Sequence, residues 1–267
     1  MKADFHMHSS FSSDAEFEPE AMIQEAIRRG LQTICFTDHQ DKDYQGGSLS
    51  FTFDTESYFR TMQRLQQEYR EKIDVRIGVE LGLQPHLGEY YKQYVSQYPF
   101  DFVLGSVHVI QSEDPYYPQF FEKRTDREAY EAAFLATLEN IRAVSEFDVL
   151  GHLDYIVRYG KTKADFFDIR DYADIFEELF QILVARGQGI EINTGSLYRG
   201  LSFPHPHTDI LKMYKDAGGE IITVGSDAHH AEHIGYGFDA ARDLLLSHGF
   251  RYYTTFKERK PEFHKIP

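Results

Sequence analysis

Only one cysteine, Cys35, occurs in the 267 residues, so no disulfide can form within the chain and a disulfide-stapled secreted scaffold is excluded. Basic side chains are also in short supply: 28 Lys and Arg stand against 43 Asp and Glu, a formal charge of −15. Such a chain repels polyanions, so long nucleic acid is not an expected partner unless a local cationic site reverses the field. No apolar run approaches the ~20 residues that cross a bilayer. The opening MKADFHMHSS lacks the basic-then-apolar signature of an export leader. These absences lead to the expectation of a reducing, cytoplasmic location and no membrane partner; no sequence feature specifies an oligomeric state. No repeat, and no Pro/Gly/Ser-rich linker, divides the chain, so residues 1–267 are read as one domain. What is present is core material, with 42% hydrophobic and 15% aromatic residues.

Seven short apolar segments read as buried strands: Asp4–Met7, Thr33–Thr37, Arg76–Leu81, Asp101–Val107, Asp148–Leu153, Gly189–Asn193 and Glu220–Gly225. Helical periodicity lies between most of them. Tyr172, Ile175, Phe176, Leu179, Phe180 and Leu183 recur at i, i+3, i+4, i+7, i+8 and i+11, which is one buried helix face. Pro19 opens and Gly30 closes a first helix, and further helices are predicted near 55–70, 127–145, 208–217 and 237–248. Strand alternating with helix predicts an α/β architecture with a parallel sheet, either closed or open. The residues at the strand ends decide between them. Each segment finishes in a metal-capable residue: His6 and His8, Asp38 and His39, Glu80, His108, His152, Glu191, then Asp227 and His229. A closed barrel gathers all strand ends on one rim, whereas an open sheet spreads them over tens of Å. The expectation is therefore a distorted seven-stranded TIM-like (β/α) barrel. The stretch from Gln40 to Asp54, with its Gly46-Gly47 pair, is read as a lid or entrance loop.

His6-Met7-His8 alternates across a strand, so both imidazoles face one side and can share an ion. A set of polar groups gathered at the rim of an apolar core is costly unless something satisfies it, and metal coordination is the usual means. Other phosphatase chemistries are missing their parts. Cys35 has no Arg six residues on, where Asp41 stands, and no Arg-His-Gly occurs. Asp41-Lys42-Asp43 has the DxD of aspartyl-phosphate enzymes, but Gln45 stands where Thr or Val is needed, and no strand is predicted directly before it. His205 and His207, in FPHPH, are read as exposed loop histidines beside prolines. Tyr90, Tyr91 and Tyr94 are read as helix packing, and KERK near the C-terminus as too short for a nucleic-acid patch.

HMH, TDH, the Glu of GVELG, SVH, GHLD and GSDAH are similar in order and content to the motifs of the PHP (polymerase and histidinol phosphatase) superfamily. The likeness spans residues 6 to 229. It implies a distorted barrel with a trinuclear metal centre. Carried over motif by motif, one ion falls to His6, His8, Glu80 and Asp227, a second to Glu80, His108 and His152, and a third to Asp14, His39 and His229, with Glu80 bridging the first two. Asp14, in SSDAE, also has the character of a helix-capping residue. Mixed imidazole and carboxylate donors suit three divalent Zn, Fe or Mn ions, whose charge would outweigh the carboxylates and make a cationic pocket in an acidic protein.

Chain length, the loop after SVH and the EINTGSLYRG segment look most like the histidinol-phosphatase branch. That branch hydrolyses the phosphate monoester L-histidinol phosphate in histidine biosynthesis. The implied reaction is attack on phosphorus by a hydroxide between two ions, with Arg158 and Arg199 holding phosphate oxygens in forked geometry. His230 is a candidate proton donor. Glu113, Asp114, Tyr116, Tyr117 and Glu191 are candidates to receive the substrate's ammonium and imidazole. Two other readings compete: a phosphoesterase for nucleotides or short oligonucleotides, which the net charge disfavours, and a non-catalytic metal-binding barrel, which the completeness of the ligand set disfavours.

Overall fold

The computed structural model describes residues 1–45, 50–162 and 167–267; the Gly46-Gly47 pair of the expected lid lies outside the described residues. The strands are β1 (Ala3–Met7), β2 (Thr33–Phe36), β3 (His39–Gln40), β4 (Asp74–Gly82), β5 (Phe102–Ser106), β6 (Val149–Leu150), β7 (Gly189–Asn193), β8 (Ile222–Gly225), β9 (Tyr252–Lys257) and β10 (Lys260–Lys265). β1, β2, β4, β5, β6, β7 and β8 pair in parallel in that order, and β3 resumes the line of β2 against β4. The ring is nearly closed, because the residues after β8 fold back onto β1. Asp227 N donates to His6 O at 2.8 Å, His8 N donates to Ala228 O at 2.9 Å, and Ser226 N donates to Asp4 Oδ1 at 2.9 Å. All seven predicted segments form barrel strands. Four are shorter than predicted: β2 breaks after Phe36, β5 and β8 are trimmed to Phe102–Ser106 and Ile222–Gly225, and β6 spans only two residues.

Local signals set the outer helices. Asp54 caps Thr55–Tyr69 through Glu56 N and Ser57 N, and a capping box between Thr125 and Glu128 opens Asp126–Ala143. Phe176, Leu179, Phe180 and Leu183 are the buried face of Ala173–Ala185, while Tyr172 belongs to the 3-10 turn before it. Tyr91 and Tyr94 pack inward from Gly88–Gln97, and the Tyr91 hydroxyl donates to Gln40 O and Gly82 O. No described helix is long and apolar enough to cross a membrane.

The antiparallel hairpin of β9 and β10 is absent from the sequence reading. KERK is its turn, with Glu258 and Arg259 at φ of 49° and 60°. It packs under the N-terminal ends of the strands: Phe256 lies 5.1 Å from the Phe102 ring, Arg76 Nη1 donates to Phe256 O, and Arg259 Nε reaches Asp148. The hairpin closes one end of the barrel and leaves the other to function.

Candidate metal centre

The strand ends at the open end bring all nine expected ligands together. His6 and His8, either side of Met7, hold their Nε2 atoms 3.1 Å apart. His6 Nδ1 sits 2.6 Å from Glu191 Oε1. His8 Nδ1 sits 3.0 Å from Ser12 Oγ, whose own proton goes to Asp38. In the neutral form that binds a cation an imidazole has one N–H, and these contacts would place it on Nδ1 in both rings, leaving both Nε2 atoms free to meet one ion. Glu80 Oε2 lies 3.4 and 3.5 Å from them, and Asp227 Oδ1 lies 3.7 and 3.6 Å away. Four donors around an ion at ~2.0–2.1 Å stand about 3.3 Å from one another. The observed edges match a tetrahedron of that size.

The second set uses the other oxygen of the same glutamate. Glu80 Oε1 is 3.1 Å from His152 Nε2 and 3.4 Å from His108 Nε2. Glu80 is therefore placed to bridge. The third set is looser and nearer solvent: Asp14 Oδ2 lies 3.2 Å from His229 Nε2 and 3.6 Å from His39 Nε2. Asp14 caps no helix, since the helix begins at Pro19. The donor set fits divalent ions on internal grounds, because Glu80 Oε2 is buried without any hydrogen-bond partner. A buried carboxylate oxygen left bare costs several kcal/mol, and a cation between it and the imidazoles is the partner its position lacks.

The electrostatics follow the same geometry. Burial pushes the Glu80 carboxyl upward, but His6, His39 and His108 outweigh it and hold the group well below the usual carboxylate range. Asp227 is held low in the same way, against its burial, by Arg199 and His6. Burial, reinforced by His229 and His39, lowers His8, and burial also lowers His152. Both are thus kept neutral, the form that binds a cation.

Above the donors opens a cavity of about 660 Å³. Arg158 and Arg199 both line it. The Arg158 guanidinium lies 4.1 Å over the Tyr155 ring and donates to Tyr159 Oη at 2.6 Å. Arg199 Nη1 donates to Asp227 Oδ2 at 2.9 Å. Gly195 makes that approach possible, since a Cβ there would sit 2.5 Å from Arg199 Nη1. His230 lines the wall and meets Phe17 edge-on at 5.6 Å.

Four expectations need correction. Glu191 does not reach the cavity. It lies beneath it, 1% exposed, with Oε1 on His6 Nδ1 and Oε2 accepting from His152 N at 2.9 Å, and Gly225 clears the space it occupies. Its carboxylate supports two ligands and has nothing left for substrate. His205 is fully buried rather than exposed, with Nδ1 2.6 Å from Asp154 Oδ1; His207 is half-buried. Asp41 does follow a strand, the two-residue β3, and its carboxylate is committed to His108 Nδ1 at 2.6 Å. Of the five candidates for the organic half, Glu113 lies outside the cavity lining and pairs with Arg124 at 2.7 Å.

Residues 4–195 match the PHP domain family. The histidinol-phosphatase of Lactococcus lactis is 33% identical over 99% of this chain and 97% of its own length. The crystal structure of that histidinol phosphate phosphatase, complexed with Zn, L-histidinol and phosphate, superposes with a TM-score of 0.89 over 98% of each chain. A Thermotoga maritima relative is 32% identical over 93% of each chain. A Listeria monocytogenes structure shares the fold at 18% identity, with a TM-score of 0.75 over 90% of this chain and 99% of that one. With the motifs in order, the barrel observed and the ligands assembled, the chain belongs to the PHP domain family, in its histidinol-phosphatase branch.

Proposed function

We propose that this chain is a metal-dependent phosphomonoesterase that hydrolyses L-histidinol phosphate to L-histidinol and phosphate. The observation that carries the reading is the nest of Nε2 and carboxylate donors lying under two arginines in one cavity. His6, His8, Glu80 and Asp227 would hold one divalent ion, Glu80, His108 and His152 a second, and Asp14, His39 and His229 a third. When bound, Zn, Fe or Mn ions there acidify water for attack on phosphorus and offset phosphate charge.

The chain's own groups do the rest. Arg158 presents a buried Nε with no partner, and its ring-stacked guanidinium is fixed in plane, so it can give parallel hydrogen bonds to phosphate oxygens. Arg199, held by Asp227, offers its remaining N–H groups beside it. As the P–O bond breaks, both cations meet charge that moves onto the departing and equatorial oxygens. His230 is the wall imidazole available to protonate the leaving oxygen. Asp114 suits the organic half. Among the described residues it is the one cavity carboxylate with no basic or ligand side chain against it; it accepts only from Tyr44 Oη at 2.5 Å and Tyr116 N at 2.7 Å. With Tyr116, Tyr117 and Tyr159 in the same wall, an ammonium or imidazolium finds a counter-charge and ring faces.

Phosphate release by metal-loaded protein from histidinol phosphate, p-nitrophenyl phosphate, a 3′-phosphorylated nucleotide and a phosphodiester tests the reading. Histidinol phosphate is expected to turn over fastest. Release no faster than from the unrelated monoesters sinks the assignment.

A further inference from the structure

We propose that Asp41 is a positioning residue that orients two ligand histidines belonging to two different ions, His108 of the second set and His39 of the third. The inference rests on the metal-centre reading and adds to it a carboxylate that none of the three ligand sets includes.

Asp41 is 4% exposed and touches both rings. Its Oδ2 lies 2.6 Å from His108 Nδ1, while its Oδ1 lies 3.7 Å from His39 Nδ1. The first distance is too short for two donors sharing one ion, which stand about 3.3 Å apart, and it is an ordinary length for a charge-assisted hydrogen bond. Asp41 is therefore an acceptor for the His108 N–H and not a further ligand beside it. That contact fixes the His108 tautomer and turns its Nε2 toward Glu80 Oε1. On the other side, Asp41 Oδ1 and His39 Nδ1 are both buried and both lack a hydrogen-bond partner. One is an acceptor, the other a donor when His39 gives Nε2 to the third set. Glu80 Oε2 is nearer to His39 Nδ1, at 3.1 Å, but it forms no hydrogen bond there and already makes a corner of the first tetrahedron. Asp41 Oδ1 is thus the acceptor left for His39.

The surroundings hold Asp41 for this and nothing else. Among the described residues no Lys, Arg or backbone N–H bonds its carboxylate, and its main-chain N–H donates to Phe51 O at 2.7 Å. Gly82 on β4 makes the room, because a Cβ there would stand 2.5 Å from Asp41 Cγ. The remaining first-set imidazoles have supports of their own in Glu191 and in Ser12 with Asp38. Losing Asp41 should therefore strike the second and third ions and spare the first.

Stepwise Zn²⁺ affinities, measured by chelator competition on the metal-stripped protein, test this in Asp41→Asn and Asp41→Ala. The expected result is that the second and third sites weaken about 10–100-fold, the cost of losing an outer-shell partner of a metal-bound histidine, with the first site unchanged. Glu191→Gln should instead weaken the first site, through His6, and the second only through His152 N, leaving the third unchanged. Three unchanged sites, one weakened site or equal weakening of all three would overturn the proposal. Imidazole ¹⁵N shifts of the Zn-loaded wild type need no variant: His39 and His108 should both carry Nδ1–H and a metal on Nε2, and either ring metallated at Nδ1 would also overturn it. Wild type that takes up no Zn²⁺ removes the metal reading itself, and this role with it, whereas tight binding by wild type and both variants removes only the role of Asp41.

Discussion

At the closed end of the barrel, Asp148 takes Arg259 Nε on both oxygens at 2.9 Å and Val103 N at 2.8 Å, and Asp101 takes Ile77 N and Glu258 N. At the open end, Glu80 Oε2 has no hydrogen bond, and two imidazole Nε2 atoms meet at 3.1 Å. The residue types are similar, yet one cluster is complete within the chain and the other is not. A buried polar group is placed either to hold the fold or to wait for something. What separates the two ends is whether the partners are encoded in the same sequence.

The sharpest way to break this comparison is Glu80→Gln. Turnover should fall by more than about 100-fold, beyond the cost of losing a mere outer-shell support, because the amide cannot bridge as the carboxylate does. Turnover is the deciding readout here, because the stability of the stripped protein also carries the attraction of His6, His39 and His108 for this carboxylate. Equal turnover in variant and wild type would return the cluster to a structural role. The opposite pattern belongs to Arg259→Ala. It leaves Asp148 without its cation and should cost roughly 2–3 kcal/mol, below the full range for a buried pair because the Arg259 side chain is 27% exposed. Its kcat should stay within about twofold of wild type, and a large loss of kcat without loss of stability would erase the distinction between the ends.

How far the sequence carried the reading follows from the same contrast. Eight of the nine candidate ligands are legible because each stands at or beside the end of an apolar strand, and the barrel brings strand ends together whatever the intervening loops do; Asp14, in the loop after β1, is reached only through the family resemblance. The supports of these ligands are not legible. His6 meets Glu191 across 185 positions and His108 meets Asp41 across 67, contacts that no local pattern encodes. Glu191 was noticed for its place at a strand end but given to the substrate, since position alone does not say whether a carboxylate faces the cavity or lies below it. The hairpin escaped for a different reason: five of the six residues of β10 are exposed, so no alternation of apolar and polar side chains announces a strand.

A smaller effect separates the phosphate-facing cations from the structural one. Arg199→Lys keeps a charge beside Asp227 but loses the fork, so KM for histidinol phosphate should rise about tenfold while the unfolding midpoint moves little. An unchanged KM would place phosphate elsewhere in the cavity.

The smallest expected effect tests whether the closed end is as complete as it looks. Burial raises the Asp148 carboxyl from 3.8 to about 6, although Arg259 and the Val103 N–H pull the other way. A folded-state value above the unfolded one means that the native state binds the proton more tightly, so this stabilisation is full below about pH 4 and is lost as pH rises through about 6. Between pH 5 and 7 the loss is about 1 kcal/mol. Asp148→Asn has no such proton to lose. The stability of stripped wild type relative to that variant, from urea unfolding at each pH, should therefore fall by about that amount over the interval. A difference that grows with pH would mean that Arg259 outweighs burial and that this carboxylate, unlike Glu80, has in Arg259 and Val103 every partner it needs.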